Sequence, residues 1–228
     1  MAQEANDVLH DCGFQRCRGN IMAGNPEWCL SLDQWKSRFS SWIRSTTPTA
    51  ILNSTIFFDF RPIFGSVHLA EEMREHLFAE VKGNTIFLHF LARNALTVPA
   101  PLGKLGRFAT DDGTIDLKTQ GTRLFVDAAR VYALAFGVRA ASTEERLRLV
   151  GERMKRSLSA IEGDIAAFRY IEAIRLHRQL TSLADGGPPN KVNPVALDEF
   201  QQRVLRESLR QAASLQDRLR LDYDRRTW

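Results

Sequence analysis

One short apolar segment, residues 55–61, carries both an aspartate and an arginine, the residue types that could do chemistry. β-Branched and aromatic side chains dominate it, and Pro62 and Gly65 close it, so the sequence predicts a strand. On a strand, Asp59 and Arg61 point to the same face. Charged side chains resist burial unless they are paired or bind a metal. Two interpretations stay open: an ion pair on a solvent-facing surface, or one carboxylate of a magnesium site with the arginine near a phosphate.

A second candidate is Arg130, which falls on an otherwise apolar predicted helix. It either pairs with Asp127 or Asp116 or faces a ligand, since a guanidinium group can bind an oxyanion through two hydrogen bonds. His89 and His177 also lie on predicted helices, and we interpret both as structural.

The three cysteines give no sign of a metal site or a disulfide framework. Cys12, Cys17 and Cys29 have the spacing C-x4-C-x11-C, which lacks the second close pair that zinc sites use. An odd number of cysteines also argues against a closed set of disulfides. We therefore expect reduced thiols.

The composition is that of an ordinary globular protein. The chain has 228 residues, of which 44% are hydrophobic and 25% charged, and its formal net charge is +4. The sequence has no run of about 18 apolar residues, so it predicts no membrane-spanning helix. The start, MAQEANDVLHDC, lacks a basic region followed by an apolar core, so the sequence predicts a cytoplasmic protein without a signal peptide. Arginines and glutamates alternate in residues 142–157, which indicates a solvated helix face and makes nucleic acid an unlikely partner.

Helical patterns must position these candidate residues, because apolar side chains recur at three- and four-residue spacing through most of the chain. Ser31 can cap the start of one such helix. Helices are predicted at about 3–12, 31–44, 66–82, 84–97, 121–136, 142–157, 160–184 and 196–224, and an extended piece at 115–118. From residue 66 onward this pattern indicates a helical bundle.

Short motifs run in a fixed order through nearly the whole chain. They occupy residues 19–28, 35–42, 56–61, 90–96, 101–103, 115–118, 121, 126–134 and 175–180. Together they resemble a family of bacterial nucleotidyltransferases related to the protein-PII uridylyltransferases and the glutamine-synthetase adenylyltransferases. Members of that family are commonly signal-transduction proteins, and they often carry a cyclic-nucleotide-binding domain and two cystathionine-β-synthase-type domains ahead of the transferase.

The resemblance implies a mainly α protein in two parts. Residues 1–65 would be the α/β C-terminal part of a nucleotidyltransferase domain, and residues 66–228 would be its helical substrate-binding domain. The implied reaction is the Mg²⁺-dependent transfer of a nucleoside monophosphate from a nucleoside triphosphate to a protein acceptor similar to PII.

The resemblance also implies roles for particular residues. Asp59 corresponds to the third carboxylate of the family's metal site, on a strand similar to the Asp-x-Arg strand of the related adenylyltransferases. Arg61, Lys118, Arg130 and Arg175 would contact the substrate. The partners would be a nucleoside triphosphate and the protein acceptor, and the helical part could also form a homodimer.

The main catalytic motif of that family is missing from this sequence. Its other two carboxylates come from a Gly-Ser turn followed by an Asp-x-Asp strand. No such strand follows Gly65 and Ser66, and the family usually has an acidic residue in place of Ser66. The Asp-x-Asp sequence at Asp222 and Asp224 lies on a predicted helix. We expect the two carboxylates upstream of residue 1, which would make this chain the C-terminal portion of a longer protein, inactive alone.

The alternative is a non-catalytic helical interaction or regulatory module that docks a partner or dimerises. An exposed apolar stripe on the helix at 196–224 would favour this alternative. The strand at 55–61, if its sheet partners are elsewhere, would have an exposed edge that can pair with another chain.

Overall fold

The computed structural model describes residues 2–103 and 106–224. Nine α-helices dominate this part of the chain, in agreement with the predicted mainly α class. They are α1 Ala2–Asp11, α2 Leu32–Arg44, α3 Pro48–Phe57, α4 Val67–Val81, α5 Thr85–Ala95, α6 Arg123–Phe136, α7 Thr143–Arg153, α8 Leu158–Asp185 and α9 Glu199–Tyr223. Two strands, β1 Ile115–Asp116 and β2 Lys191–Val192, pair antiparallel. No helix within the described residues has the length and apolar character needed to cross a bilayer.

Local capping explains where several of these helices begin. Ser31 Oγ accepts a hydrogen bond from the backbone N–H of Gln34, and the Gln34 side chain accepts one from the backbone N–H of Ser31. This reciprocal capping satisfies N–H groups that the first helical turn leaves without partners. Asp198 and Gln201 form the same arrangement at the start of α9. The predicted cap at Ser31 is confirmed.

The predicted strand at residues 55–61 is wrong. The structure has helix α3 through Phe57, and Asp59 and Arg61 follow it in a segment without regular secondary structure. Thr47 Oγ1 caps the helix by accepting from the Ala50 N–H, and proline occupies the first turn. A short apolar run fits a buried helix as well as a strand. The α/β character predicted for residues 1–65 is therefore not found in the described residues, which form helices and loops.

The buried side chains form one continuous cluster on both sides of residue 65. α2 packs on α4, α3 contacts α5, and α6 contacts α4, α5, α7 and α9. The predicted division into residues 1–65 and 66–228 stays a prediction, and the hydrophobic core extends across it. Side chains with less than 2% exposure include Ile43, Leu77, Phe87, Phe125, Ile165 and Leu209.

The apolar side of α9 is covered by other helices. Ser208, Ala212, Leu215 and Leu219 are buried, and α9 packs along α8 while also contacting α5 and α6. Phe200, near the start of the helix, is 71% exposed. The exposed stripe that would favour an interaction module on this helix is therefore mostly absent from its described residues.

Two helical glycines provide a matched pair for a stability prediction. A Cβ atom at Gly151 on α7 would lie 2.5 Å from Cγ1 of Ile161 on α8, whereas a Cβ at Gly163 on α8 would meet no atom within 4 Å. We expect Gly151→Ala to lower the free energy of unfolding by about 1–3 kcal/mol, because Ile161 is buried and has no room to move. Gly163→Ala should raise it by about 0.5–1 kcal/mol, because alanine restricts the unfolded chain. Urea denaturation of both variants measures the two changes in the free energy of unfolding. Changes of the same sign would contradict the close approach of α7 and α8.

The end of α9 is anchored to α5 and α6. Tyr132 Oη donates to Asp222 Oδ2 at 2.7 Å, and His89 Nδ1 lies 2.7 Å from the backbone carbonyl of Tyr223. His89 Nδ1 is also 3.8 Å from a carboxylate oxygen of Asp224. The Asp-x-Asp sequence in this segment therefore anchors a helix end, and His89 has the structural surroundings that the sequence predicts.

All three tyrosines of the chain are expected to ionise at higher pH in the folded state than in the unfolded chain. Burial, and then the bonded Asp222, raise the pKa of Tyr132, burial raises the pKa of Tyr223 to about 12, and burial raises that of Tyr170. The pKa values of the tyrosines are therefore higher in the folded state than in the unfolded chain. Their contribution to stability is complete below a pH of about 10 and is lost as the pH rises through the folded-state pKa values. Absorbance of phenolate at increasing pH, with and without urea, measures both titrations. Tyr132→Phe should reduce the loss of stability, and coincident titrations would contradict the burial.

Candidate functional site

Asp59 lies between two arginines where the segment after α3 meets α6 and α7. Its Oδ2 atom is 2.6 Å from Nη2 and 2.8 Å from Nε of Arg130, and its Oδ1 atom is 2.6 Å from Nη1 of Arg146. Oδ1 is buried and accepts no hydrogen bond from a described residue, so its contact with Arg146 is electrostatic only. We call Asp59, Arg130 and Arg146 the arginine clamp.

Asp127 is the second carboxylate next to the clamp. It binds Arg130 Nη1 at 2.6 Å through Oδ1 and Arg123 Nε at 2.9 Å through Oδ2. Burial acts to lower the pKa of Arg130, but the charges and hydrogen bonds of Asp59 and Asp127 outweigh it, so the pKa is raised above its usual value. Arg130 therefore stays charged although it is only 8% exposed. Of the two pairings that the sequence left open, the one with Asp127 is confirmed; Asp116 instead accepts from the backbone N–H groups of the next turn.

Arg146 is the residue of the clamp that the sequence reasoning missed. The alternating charges of residues 142–157 suggested a solvated face, yet Arg146 is only 7% exposed. Its Nε donates to the backbone carbonyl of Ala140 at 2.8 Å, which holds the guanidinium group next to Asp59. A signal was present, because Arg146 shares a helical face with Val150 and Met154 at four-residue spacing, and that face packs on the core.

The clamp does not fit the magnesium role that the resemblance implies for Asp59. Mg²⁺ binds oxygen ligands such as carboxylates and water. Both oxygens of Asp59 instead face guanidinium groups, whose positive charge disfavours a nearby cation. No group of three or more His, Cys, Asp or Glu side chains that could hold a metal occurs among the described residues. The role of Asp59 as a metal ligand therefore stays a prediction that this geometry does not support.

The other predicted site residues lie outside the clamp. Arg61 and Lys118 are exposed, the first in the segment after α3 and the second in the turn before α6. Arg175, on α8, donates to Asn190 Oδ1 at 2.9 Å and pairs with Glu172 at 3.2 Å. The structure thus brings together Asp59 and Arg130 alone among the predicted residues.

An apolar groove lies beside the clamp, between α2, the end of α3 and α4. Its volume is about 280 Å³, and its lining residues are Leu30, Leu32, Trp35, Phe39, Phe57, Phe60, Leu69, Ala70 and Met73. Ile63 and Phe64, in the segment that links α3 to α4, are 92% and 100% exposed. Exposed apolar surface of this kind is typical of a surface that contacts a partner.

Two family models match the chain. The first is described as "Putative nucleotidyltransferase substrate binding domain" and matches residues 85–223, which include Arg130 and Arg146. The second, described as "Putative nucleotidyltransferase DUF294", matches residues 1–49. Asp59 lies between the two matched regions. No curated protein and no solved structure matches the chain.

Proposed function

The chain belongs to the family of putative nucleotidyltransferases, and from this premise we propose that it is the substrate-binding part of an enzyme similar to the protein-PII uridylyltransferases. The proposed reaction transfers a nucleoside monophosphate from a nucleoside triphosphate to a protein acceptor in signal transduction, in the cytoplasm. The proposed reaction depends on Mg²⁺, and its ligands would lie outside the arginine clamp, because both oxygens of Asp59 face guanidinium groups. The model that matches residues 85–223 is described as a substrate-binding domain, and it covers most of the helical part of the chain. The proposed role of this chain is therefore binding rather than bond formation.

The observation that carries this proposal is the pair of clamp arginines, Arg130 and Arg146, within the matched region. Arg130 on α6 and Arg146 on α7 both lie in residues 85–223, and both are buried with their guanidinium groups at one point. Buried arginines that meet in this way bind an oxyanion more strongly than exposed arginines do, because water screens them less. A nucleoside triphosphate is a substrate of that charge.

We further propose that the chain binds without catalysing transfer. Its sequence has no Gly-Ser turn followed by an Asp-x-Asp strand. The only Asp-x-Asp sequence near the end of the described residues, at 222–224, is held to α5 and α6 by Tyr132 and His89. These carboxylates are engaged in anchoring α9 and are not arranged on a strand.

The experiment combines binding with transfer. The chain is mixed with Mg²⁺, a nucleoside triphosphate labelled at the α-phosphate, and a PII-type acceptor. We expect binding of the nucleotide or the acceptor by calorimetry, weakened by Arg130→Gln, and no label on the acceptor. Arg44→Gln is the control, because Arg44 is exposed and pairs with Glu80 away from the clamp. Labelled acceptor would show that the site is complete in this chain, and an absence of both binding events would contradict the proposal.

A non-catalytic interaction module is the second candidate. Two apolar surfaces favour it: the groove between α2 and α4, and the exposed Ile63 and Phe64 in the segment that links α3 to α4. Under this hypothesis two copies of the chain associate through these surfaces. Sedimentation velocity would then show a dimer that Phe64→Ser dissociates, with no dependence on nucleotide.

A further inference from the structure

Asp59 is an incomplete partner for the two arginines that hold it. Its Oδ2 accepts from Arg130, while its Oδ1 is buried without a hydrogen bond although Arg146 Nη1 lies 2.6 Å away. A carboxylate has two oxygens in one plane, whereas a phosphoryl group has three terminal oxygens in a tetrahedral arrangement. Two guanidinium groups that approach from different helices can each bind a separate oxygen of a phosphoryl group.

The charge around the clamp also favours an anion. Among the described residues, Arg123, Arg130 and Arg146 share only two carboxylates, those of Asp59 and Asp127. Two further arginines, at positions 74 and 139, line the same cavity. If Asp59 moved away, a single carboxylate would face three buried or half-buried arginines. The resulting positive potential would attract a negatively charged ligand.

The space beside Asp59 is too small for such a ligand. The cavity between the clamp and its apolar walls has a volume of about 20 Å³, which is enough for one water molecule. A phosphoryl group therefore cannot bind next to Asp59. It can only take the place of the carboxylate.

The three residues of the clamp differ in how firmly they are held. Arg130 lies in the buried helix α6, and Arg146 is fixed by its bond to Ala140 and by helix α7. Asp59 is the second residue after the end of α3, and no helix or strand includes residues 58–66. Phe64, in the same segment, is fully exposed. Phe58 and Phe60, on either side of Asp59, pack on the core, but the Asp59 side chain itself is 26% exposed. Its carboxylate can thus turn away toward solvent while the arginines stay in position.

We propose that Arg130 and Arg146 form a binding site for phosphate oxygens of a nucleoside triphosphate, and that Asp59 occupies this site until the ligand displaces it. The inference rests on the proposed function in one respect, since a nucleotidyltransferase is the class of protein that uses such a ligand. The site itself requires only the chemistry of a polyphosphate anion. Asp59 is then an internal competitor whose removal exposes the site.

The test uses the full 228-residue chain with Asp59→Ala. Thermal denaturation is followed at constant ionic strength with sodium chloride, inorganic pyrophosphate or UTP. The variant should melt below the wild type in chloride, because Arg146 loses its only carboxylate partner among the described residues. Pyrophosphate should raise its melting temperature more than that of the wild type. If Asp59 fills the site at least nine-tenths of the time, its removal strengthens the apparent affinity for pyrophosphate by about tenfold or more.

Two further variants keep the outcome decisive. Asp59→Asn preserves the shape of the side chain and replaces Asp59→Ala should that variant not fold. Arg146→Gln, added to either one, should abolish the effect of pyrophosphate, whereas Arg44→Gln should leave it unchanged.

Each result bears on one part of the inference. Stabilisation by pyrophosphate that depends on Arg146 supports the site, and an equal effect of UTP supports a nucleotide as its ligand. A response to pyrophosphate without one to UTP would support the anion site but overturn the nucleotide as its ligand. The proposed function is tested separately, by binding and transfer to the acceptor. No stabilisation of a folded Asp59 variant, or stabilisation that persists after Arg146→Gln, would overturn the site.

Discussion

Replacing Arg130 by glutamine is expected to lower the free energy of unfolding by about 3 kcal/mol, because the buried Asp127 and the partly buried Asp59 lose a charged partner at once. Arg130 contacts Asp59 Oδ2 at 2.6 Å and Asp127 Oδ1 at 2.6 Å, and its side chain is 10% exposed. Asp59 keeps Arg146 and Asp127 keeps Arg123, which limits the loss to the lower end of the range for a broken buried pair.

Two comparisons separate the causes of this loss. Arg130→Lys keeps the charge but lacks the planar fork of the guanidinium group, so its cost should lie between those of the wild type and the glutamine variant. Arg44→Gln removes an arginine whose side chain is 71% exposed, and should cost less than about 1 kcal/mol. Urea denaturation at neutral pH measures all three. Equal costs for Arg130→Gln and Arg44→Gln would mean that the clamp adds nothing to stability.

Asp164→Ala is the second substitution with a large expected effect, a loss of about 3–5 kcal/mol. Asp164 on α8 is 2% exposed, and its Oδ2 accepts from Arg156 Nη1 at 2.5 Å in the turn after α7. Burial raises the pKa of Asp164 although Arg156 acts against the shift. Arg156 therefore does not fully offset the cost of removing the Asp164 carboxylate from water. Alanine would leave a buried guanidinium group whose Nε already lacks a hydrogen-bond partner among the described residues.

Replacing both partners should have a far smaller effect. In Asp164→Leu/Arg156→Met no charge stays buried, and we expect a stability within about 1 kcal/mol of the wild type. Glu162→Gln is the matched control on the same helix, since Glu162 and Arg148 form a half-exposed pair, and it should cost less than about 1 kcal/mol. Chemical denaturation of the double variant and of each single variant completes the cycle. A double variant no more stable than Asp164→Ala would show that the loss comes from packing and not from the unpaired charge.

Sequence patterns predicted the helices well where a cap and a periodic apolar face agreed. Ser31 and the spacing of Phe39, Trp42 and Ile43 placed α2 to within about a residue at each end. The apolar run before Asp59 lacked such a face, and a run of its length fits a helix or a strand. The two-residue strand β2 gave no pattern at all, because pairing over so short a distance depends on the partner strand β1.

The part of the candidate site that joins residues close in sequence was predictable, and the part that joins distant residues was not. Arg130 and Asp127 are three residues apart on one helix, so their pairing follows from helical geometry. Asp59 and Arg130 are separated by 71 residues, and only the tertiary fold, in which α3 packs on α5 and α5 on α6, brings them together. Arg146 was misjudged because its neighbours are glutamates and arginines, although its face of α7 is apolar. The charge of a segment describes its average surroundings, and one residue can lie on the opposite side.

The anchoring of α9 also determines when the chain can finish folding during synthesis. His89 contacts the backbone of Tyr223 across 134 residues, and Gln216 binds the backbone of Val98 across 118. A nascent chain that has released α5 and α6 from the ribosome still lacks the helix that covers them. Its core must therefore wait, with apolar surface open to chaperones, until nearly the whole of α9 has left the exit tunnel.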